Sequence, residues 1–416
     1  LANGSFVVSS PLADNGAIVD AGLVHVVVPP ATASGQTFAS NAAGSVTITP
    51  STITAITNTG TAVTLQANSD VTVNSAIVTN NMGGAGGAIT MQAGRSVLIN
   101  ANITSDDGAV TIVGNERTAN GVVDANRDAG AAVIAMAPGT TINTGSANIS
   151  ITLSDGAGLT NSTSGDITLA NLTTTSGNIS LSAGSHVRLN SAVASAGGSV
   201  SVNAAFLDII AGAGPAQLKA GTNLSVSVGE IMLQGGSGTG AFAELRGGPG
   251  TFNVTTTATP TNSGDVLING GSGMDAFARI FGNPDVGSLL APMSVGGVIQ
   301  MNAGTGSGAF ARIESASPTS IRVTFPNLGS GGFFVNGQGV VSSGTSGFFA
   351  GGQAATLGQN LIVTYGGTTT IAPPTPPNLI DQVVVANNMN IDILSDQLRG
   401  GEAGEGTPVE ELPVCR

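Results

Sequence analysis

The chain has 416 residues, of which 8% are charged and 3% aromatic, with 62 Gly, no Trp, one Tyr (Tyr365) and a formal charge of −13. Its 11 basic residues, Lys219 the only lysine among them, are scattered against 24 acidic ones. No stripe exists that could release phosphate counterions, which argues against nucleic-acid binding and against attraction to an anionic membrane surface. No run of about 18 apolar residues appears, so no membrane span is expected. The single cysteine, Cys415, rules out an intrachain disulfide and leaves an interchain bond or a free thiol.

Residues 1–44 read as irregular N-terminal strands or a cap, with apolar pieces at Phe6-Val7-Val8 and Val24–Val28, then Pro29-Pro30. From residue 45 to 317 apolar and polar residues alternate with period 2 in short runs bounded by Gly, Asn, Ser or Asp, as in Ser45–Thr49, Val63–Ala67 and Ile149–Leu153. That pattern predicts strands with one buried face and no helix. Three segments align without gaps: Ala62–Ile77, Ala88–Ile103 and Asn178–Val193. In them Val63, Leu65, Val71 and Val73 are matched by Ile89, Met91, Val97 and Ile99, then by Ile179, Leu181, Val187 and Leu189. Stacked in register, these positions form columns, and Asn74, Asn100 and Asn190 share one site after the second strand, where amides can bond to their copies. Residues 118–138 read as a charged loop insertion.

A second repeat family follows at Ile231–Leu245, Val266–Ile280 and Ile299–Ile313, with Phe242, Phe277 and Phe310 at one shared position. These are expected to stack inside the core. The 33- to 35-residue offsets mean more than one coil per unit, or one coil with a long loop. From 318 to 371 the repeats degrade, and 372–416 comprises a Pro-rich linker, a strand-like segment and an acidic tail. The fold expected is all-β: a right-handed parallel β-helix, or solenoid, with irregular N-terminal strands and a C-terminal extension, its roughly 20 coils making a rod on the order of 90 Å.

The run Ile53–Asn68, the segment Asn120–Gly130, the Ala-Phe-Ala-Arg-Ile repeats and the Cys-Arg end resemble large exoproteins of the filamentous-haemagglutinin type. The resemblance spans about residues 45 to 370 and the terminus. It implies a right-handed parallel β-helix, two-partner secretion in a Gram-negative-type bacterium, and adhesion at the cell surface or in the extracellular matrix. Members carry an N-terminal secretion domain that is not recognised here, so the resemblance implies that this sequence corresponds to a C-terminal portion. Related adhesins anchor through paired C-terminal cysteines, and Cys415 stands alone.

The chemistry sought next is that of polysaccharide-cleaving β-helices, which need clustered carboxylates and an aromatic-lined groove. Asp106-Asp107-Gly108 reads as a turn, and Asp124, Arg127 and Asp128 read as a solvated, salt-bridged loop. His25 and His186 are too few for a metal site, and His186 points outward beside Arg188. Gly270–Ala278 matches a calcium-binding nonapeptide, making Asp275 a weak metal candidate, although its sister copies carry Gly240 and Gly308 there. The expectation is a structural or adhesive extracellular protein without cofactor or catalysis, whose alternative is a carbohydrate-active enzyme. Its partners would be a host-cell or matrix glycan or protein receptor, and further copies of itself. No cap is visible at either end, so end-to-end filaments are expected through Phe6, Val7, Val8, Val383, Val384, Val385, Ile391 and Ile393.

Overall fold

In the computed structural model of the protein the described residues are 37–40, 42–155, 164–282, 293–316, 321–326, 346–350 and 361–365, with the backbone of six further short strands. The chain is mostly β, with strands that pair in parallel from one repeat to the next and few helices. No helix among the described residues is long and apolar enough to cross a membrane.

Most repeats contribute three strands, and in two of them the first and second run together as Val200–Ile210 and Leu224–Gln234. The first complete one is Val63–Ala67, Val71–Val73 and Ile77–Val78, and the next is Ile89–Ala93, Val97–Ile99 and Ile103–Thr104. The first strands pair with Val63 opposite Ile89 and Leu65 opposite Met91, and the second with Val71 opposite Val97. This is the register that the gapless alignment predicts. It follows from the period of 2, because a slip of one residue would turn every apolar side chain outward. Ile89, Met91, Val97, Ile99 and Ile103 are fully buried, and one continuous apolar core runs from Ile53 to Val363.

Among the described residues the third strands form a sheet of eleven, ten of them parallel, which gives ten repeats there, where about twenty coils were expected for the chain. The repeats are longer than an even spacing suggests because their connections vary. Val110 pairs with Ile149 across a long insertion, whereas Ile179 pairs with Val200. Each unit of the Phe family is one repeat with a long loop, since Val266 pairs with both Ile231 and Ile299. Ten repeats at the spacing of paired strands stack to on the order of 45 Å, half the expected length. The insertion is also shorter than 118–138, because Ile134–Met136 inside it is a strand paired on both sides. Stacking likewise continues past residue 317, with Ile321–Phe325 on Met293-Ser294 and Leu361–Tyr365 on Ile321–Phe325.

Both ends of the stack differ from expectation. Pro50–Thr57 is an α-helix, with Thr49 as its N-cap and Pro50 in its first turn, and its buried Ile53 closes the core beneath the first repeat. The Thr57 hydroxyl bonds that of Thr79 at 2.8 Å, and its carbonyl accepts from Gly87 N–H. At the far end each strand family finishes on an antiparallel strand: Gln353-Ala354 on Phe349-Ala350, Thr369-Thr370 on Thr364-Tyr365, and Met389-Asn390 on Phe334-Val335. Ahead of the helix, Phe6–Ser10 pairs antiparallel with Leu23–Val27.

Candidate functional surfaces

The acidic groups singled out in the sequence are held by structural bonds. Asp106 Oδ2 accepts from Asn81 N–H at 2.7 Å, and Asp107 Oδ1 accepts from Ser146 N–H at 2.5 Å while Asp107 itself sits at φ 58°. Those bonds from Ser146 hold the exposed Asp107 carboxyl below its ordinary range. Asp124, Arg127 and Asp128 are not one solvated cluster. The Arg127 side chain is 0% exposed and pairs with Asp124 at 3.0 Å. It donates to the Gly94 carbonyl, to Asn115 Oδ1 and to the Glu116 carbonyl. Asp128 turns instead to Ser69 and Arg95. Arginine is suited to this clamp because its planar fork bonds several acceptors at once and keeps its charge when buried.

His186 lies in a constellation that its sequence position does not announce. Its ring stacks on Phe206 at 4.2 Å, its Nδ1 lies 2.8 Å from Asp208 Oδ2, and Asp208 also takes Arg188 Nε at 3.2 Å. Arg188 reaches on to Asp166 at 3.3 Å. The cluster assembles because Arg188 is opposite Asp208 and His186 opposite Phe206 in the parallel register, positions 20 residues apart in sequence.

Phe242, Phe277 and Phe310 stack in parallel at 4.9 and 4.8 Å, but they are half-buried on the outer face and not in the core. The inward positions beside them belong to the fully buried Ala241, Ala243, Ala276, Ala278, Ala309 and Ala311. Arginines cover the rings: Arg279 lies 5.0 Å from the Phe277 centroid and Arg312 lies 3.9 Å from that of Phe310. Arg279 also bridges the buried Glu244 at 2.6 Å and Glu314 at 2.9 Å, making one aromatic and ionic network over three repeats.

Asn74 and Asn100 form the expected amide bond, Nδ2 of Asn100 donating to Oδ1 of Asn74 at 2.9 Å, yet both are exposed. Asn190 does not extend this pair, because its repeat stacks on Leu169 and Ala170 and not on Asn100. A longer ladder, missed in the sequence, stands just ahead of the first strands. Asn148 Oδ1 accepts from Asn178 N–H at 2.7 Å, Asn178 Oδ1 from Ser199 N–H at 2.8 Å, and Asn223 Oδ1 from Thr251 N–H at 2.8 Å.

The Gly-rich loops of the Phe family stack so closely that a Cβ at Gly306 would fall 1.8 Å from the Gly273 carbonyl oxygen. They border an open cleft of about 430 Å³ lined by Gln234, Ser237, Ser272 and Thr305 among glycines. Asp275, farther along one of these loops, is exposed at φ 55°, where Gly240 and Gly308 have φ 67° and 74°. That position therefore selects residues that tolerate the left-handed region, and the nonapeptide match follows from backbone geometry. Among the described residues no group of three or more His, Cys, Asp or Glu could hold a metal ion.

Phe6, Val7 and Val8 pair within the chain as stated above, with His25 opposite Val8. Val383, Val384, Val385, Ile391, Ile393 and Cys415 lie outside the described residues. Comparison of the chain with family models, curated proteins and solved structures finds no match in any of the three.

Proposed function

We propose that the chain is a right-handed parallel β-helix of the filamentous-haemagglutinin type, a structural and adhesive rod at the outer surface of a Gram-negative-type bacterium, and that it is not an enzyme. The observation that carries this reading is the register of the ten repeats, which supports an elongated body built by adding units that contact only their neighbours. The ionisable groups support it too, since the buried Arg127 clamps a loop and the Arg279 network binds one repeat to the next. Self-association of copies into an extracellular filament remains part of this reading, with two features favouring the rod alone over end-on strand pairing. A helix covers the first repeat, and Met389-Asn390, beyond the Pro-rich linker, adds to its own chain's stack.

The carbohydrate-active reading draws on one observation, the His186 ring held at Nδ1 by Asp208 beside Arg188. One experiment addresses both readings. Cells lacking this protein are compared with wild type for attachment to matrix-coated surfaces, and the purified chain is assayed for reducing ends released from acidic polysaccharides. The proposal expects lost attachment and no release. Unchanged attachment together with release that disappears in His186→Ala would establish the enzyme instead.

A further inference from the structure

The outward positions of the third strands gather basic residues that lie far apart in the sequence. Lys219 stands opposite Arg246, and in the neighbouring column Gln217, Glu244, Arg279 and Arg312 follow one another. Four of the chain's 11 basic residues thus share one flank of the sixth to ninth repeats. Phenylalanine rings lie among them, with Arg246 4.5 Å from the Phe281 centroid and Arg312 3.9 Å from that of Phe310.

Internal ion pairs account for only half of this charge. Arg279 bridges Glu244 and Glu314, and Arg312 reaches Glu314 at 3.1 Å. Arg246 comes no nearer than 3.6 Å to Glu244, which Arg279 already holds at 2.6 Å. Lys219 has no carboxylate partner among the described residues. Elsewhere on the stack Arg95 and Arg188 each meet two carboxylates. Lys219 and Arg246 are half-buried cations on adjacent strands, about 4.8 Å apart at the backbone, and their repulsion is left without a free carboxylate to offset it.

Aromatic rings and arginines are enriched at the centres of protein interfaces, and the surplus positive charge selects an acidic occupant. One is tethered close by. Residues 400–416, outside the described residues, contain Glu402, Glu405, Glu410 and Glu411, with Val409 and Leu412 beside the last two. Met389-Asn390 pairs with Phe334-Val335 in the tenth repeat. From Asn390 to Glu402 an extended chain reaches up to about 40 Å, whereas the sixth repeat lies about 19 Å down the stack. We propose that residues 400–416 fold back along this flank, their carboxylates meeting Lys219 and Arg246 and their apolar side chains covering the rings. The tether gives the segment an effective concentration in the millimolar range, which favours it over a free acidic partner or a second copy. While it is bound, the flank is closed to other acidic surfaces.

Lys219 is the only lysine of the chain, so the contact can be read directly. A carbodiimide joins an amine to a touching carboxylate as an amide and takes up the released water as a urea. The intact chain is treated in this way, separated by size, digested with trypsin and analysed by mass spectrometry. The monomer should yield the peptide Leu189–Arg246, uncut at the coupled Lys219, joined to Gly400–Arg416, at a yield independent of protein concentration. Arg246→Gln should lower that yield by about two- to fivefold, as expected for one surface ion pair. In 1 M salt, where screening acts over about 3 Å, the product should be lost. Replacing Glu402, Glu405, Glu410 and Glu411 by Gln should remove it with the circular dichroism spectrum unchanged. A monomer without the joined peptides overturns the proposal, whatever else Lys219 couples to. Joined peptides found only in cross-linked dimers, rising with concentration, assign the flank to the tail of a second copy and overturn the intrachain contact.

Discussion

Arg127 carries no solvated charge, and its removal leaves more than an empty space. Three acceptors, the Gly94 and Glu116 carbonyls and Asn115 Oδ1, lose their donor, and Asp124 loses its cation. An unsatisfied buried polar group costs about 1–3 kcal/mol. Arg127→Met, which keeps the stem, is therefore expected to lower unfolding stability by about 3 kcal/mol, read as a fall in the denaturant midpoint at unchanged slope. At Asp70 burial pushes the carboxyl up, but the Arg95 side-chain bonds, the Ser96 N–H and the Arg95 charge together outweigh it and lower its pKa from the ordinary 3.8. A carboxyl lowered in the folded state contributes fully above its ordinary value and loses that contribution as pH falls through the lowered one. Asp70→Asn should thus reduce stability at neutral pH and flatten its decline below about pH 4; an acid titration as steep as that of the parent would contradict this. In the ring stack, Phe277 has a neighbour on each side and Phe242 has Phe277 alone. With about 1 kcal/mol per stacked pair, Phe277→Ala should cost more than Phe242→Ala in the same denaturant titration. The stack itself was legible because three Phe recur at a fixed place in three copies. Its outward direction was legible only from the alternation, in which Ala241, Ala243 and Leu245 already occupy the inward positions.

The helix Pro50–Thr57 shows where pattern reading at the level of elements reaches its limit. Its sequence, Pro-Ser-Thr-Ile-Thr-Ala-Ile-Thr, is rich in β-branched residues with modest helix propensity, and Thr-Ile-Thr reads as alternation. The signals for a helix were nevertheless present in Thr49 as a capping residue and Pro50 at the first position, where its missing N–H costs nothing. Tertiary packing settled the choice, because Ile53 on a helix plugs the open end of the core whereas another short strand would leave a fresh edge. Registers were easier to read, since repeats of equal length superpose without gaps. The connections were not, because loops such as Glu116–Val133 leave no periodic trace. Removal of residues 1–60 would uncover the unpaired side of Val63–Ala67, Val71–Val73 and Ile77-Val78. Such edges pair with other chains. The truncated protein should associate in a concentration-dependent way by light scattering while the intact chain does not, and a truncated protein that stays monomeric would show that the helix does not guard this end.

For the molecule as a whole, the parallel register makes each repeat depend on its two neighbours and on little else. The pairings run from each strand to its counterpart one repeat away, and the core is a single column of apolar side chains along the stack. A body of this kind gains stability as a sum of repeat and interface contributions, so its parts need not unfold when one end is lost. Gly282 ends the third strand of the eighth repeat, and a chain stopped there loses the Arg279–Glu314 bond together with the partners of Val266, Ile268, Ala278 and Ile280. The first seven repeats keep every neighbour they have in the intact chain. A chain ending at residue 282 is therefore expected to retain a β-type circular dichroism spectrum and a cooperative transition at low protein concentration, where pairing of the exposed end is suppressed. The denaturant slope, which scales with the surface exposed on unfolding, should fall by roughly a fifth to a third. A globular domain cut at the same place would lose part of a shared core and unfold outright. Loss of the β spectrum in the truncated chain would therefore refute the additive stacking that the register implies, even with every individual pairing in the intact protein left as described.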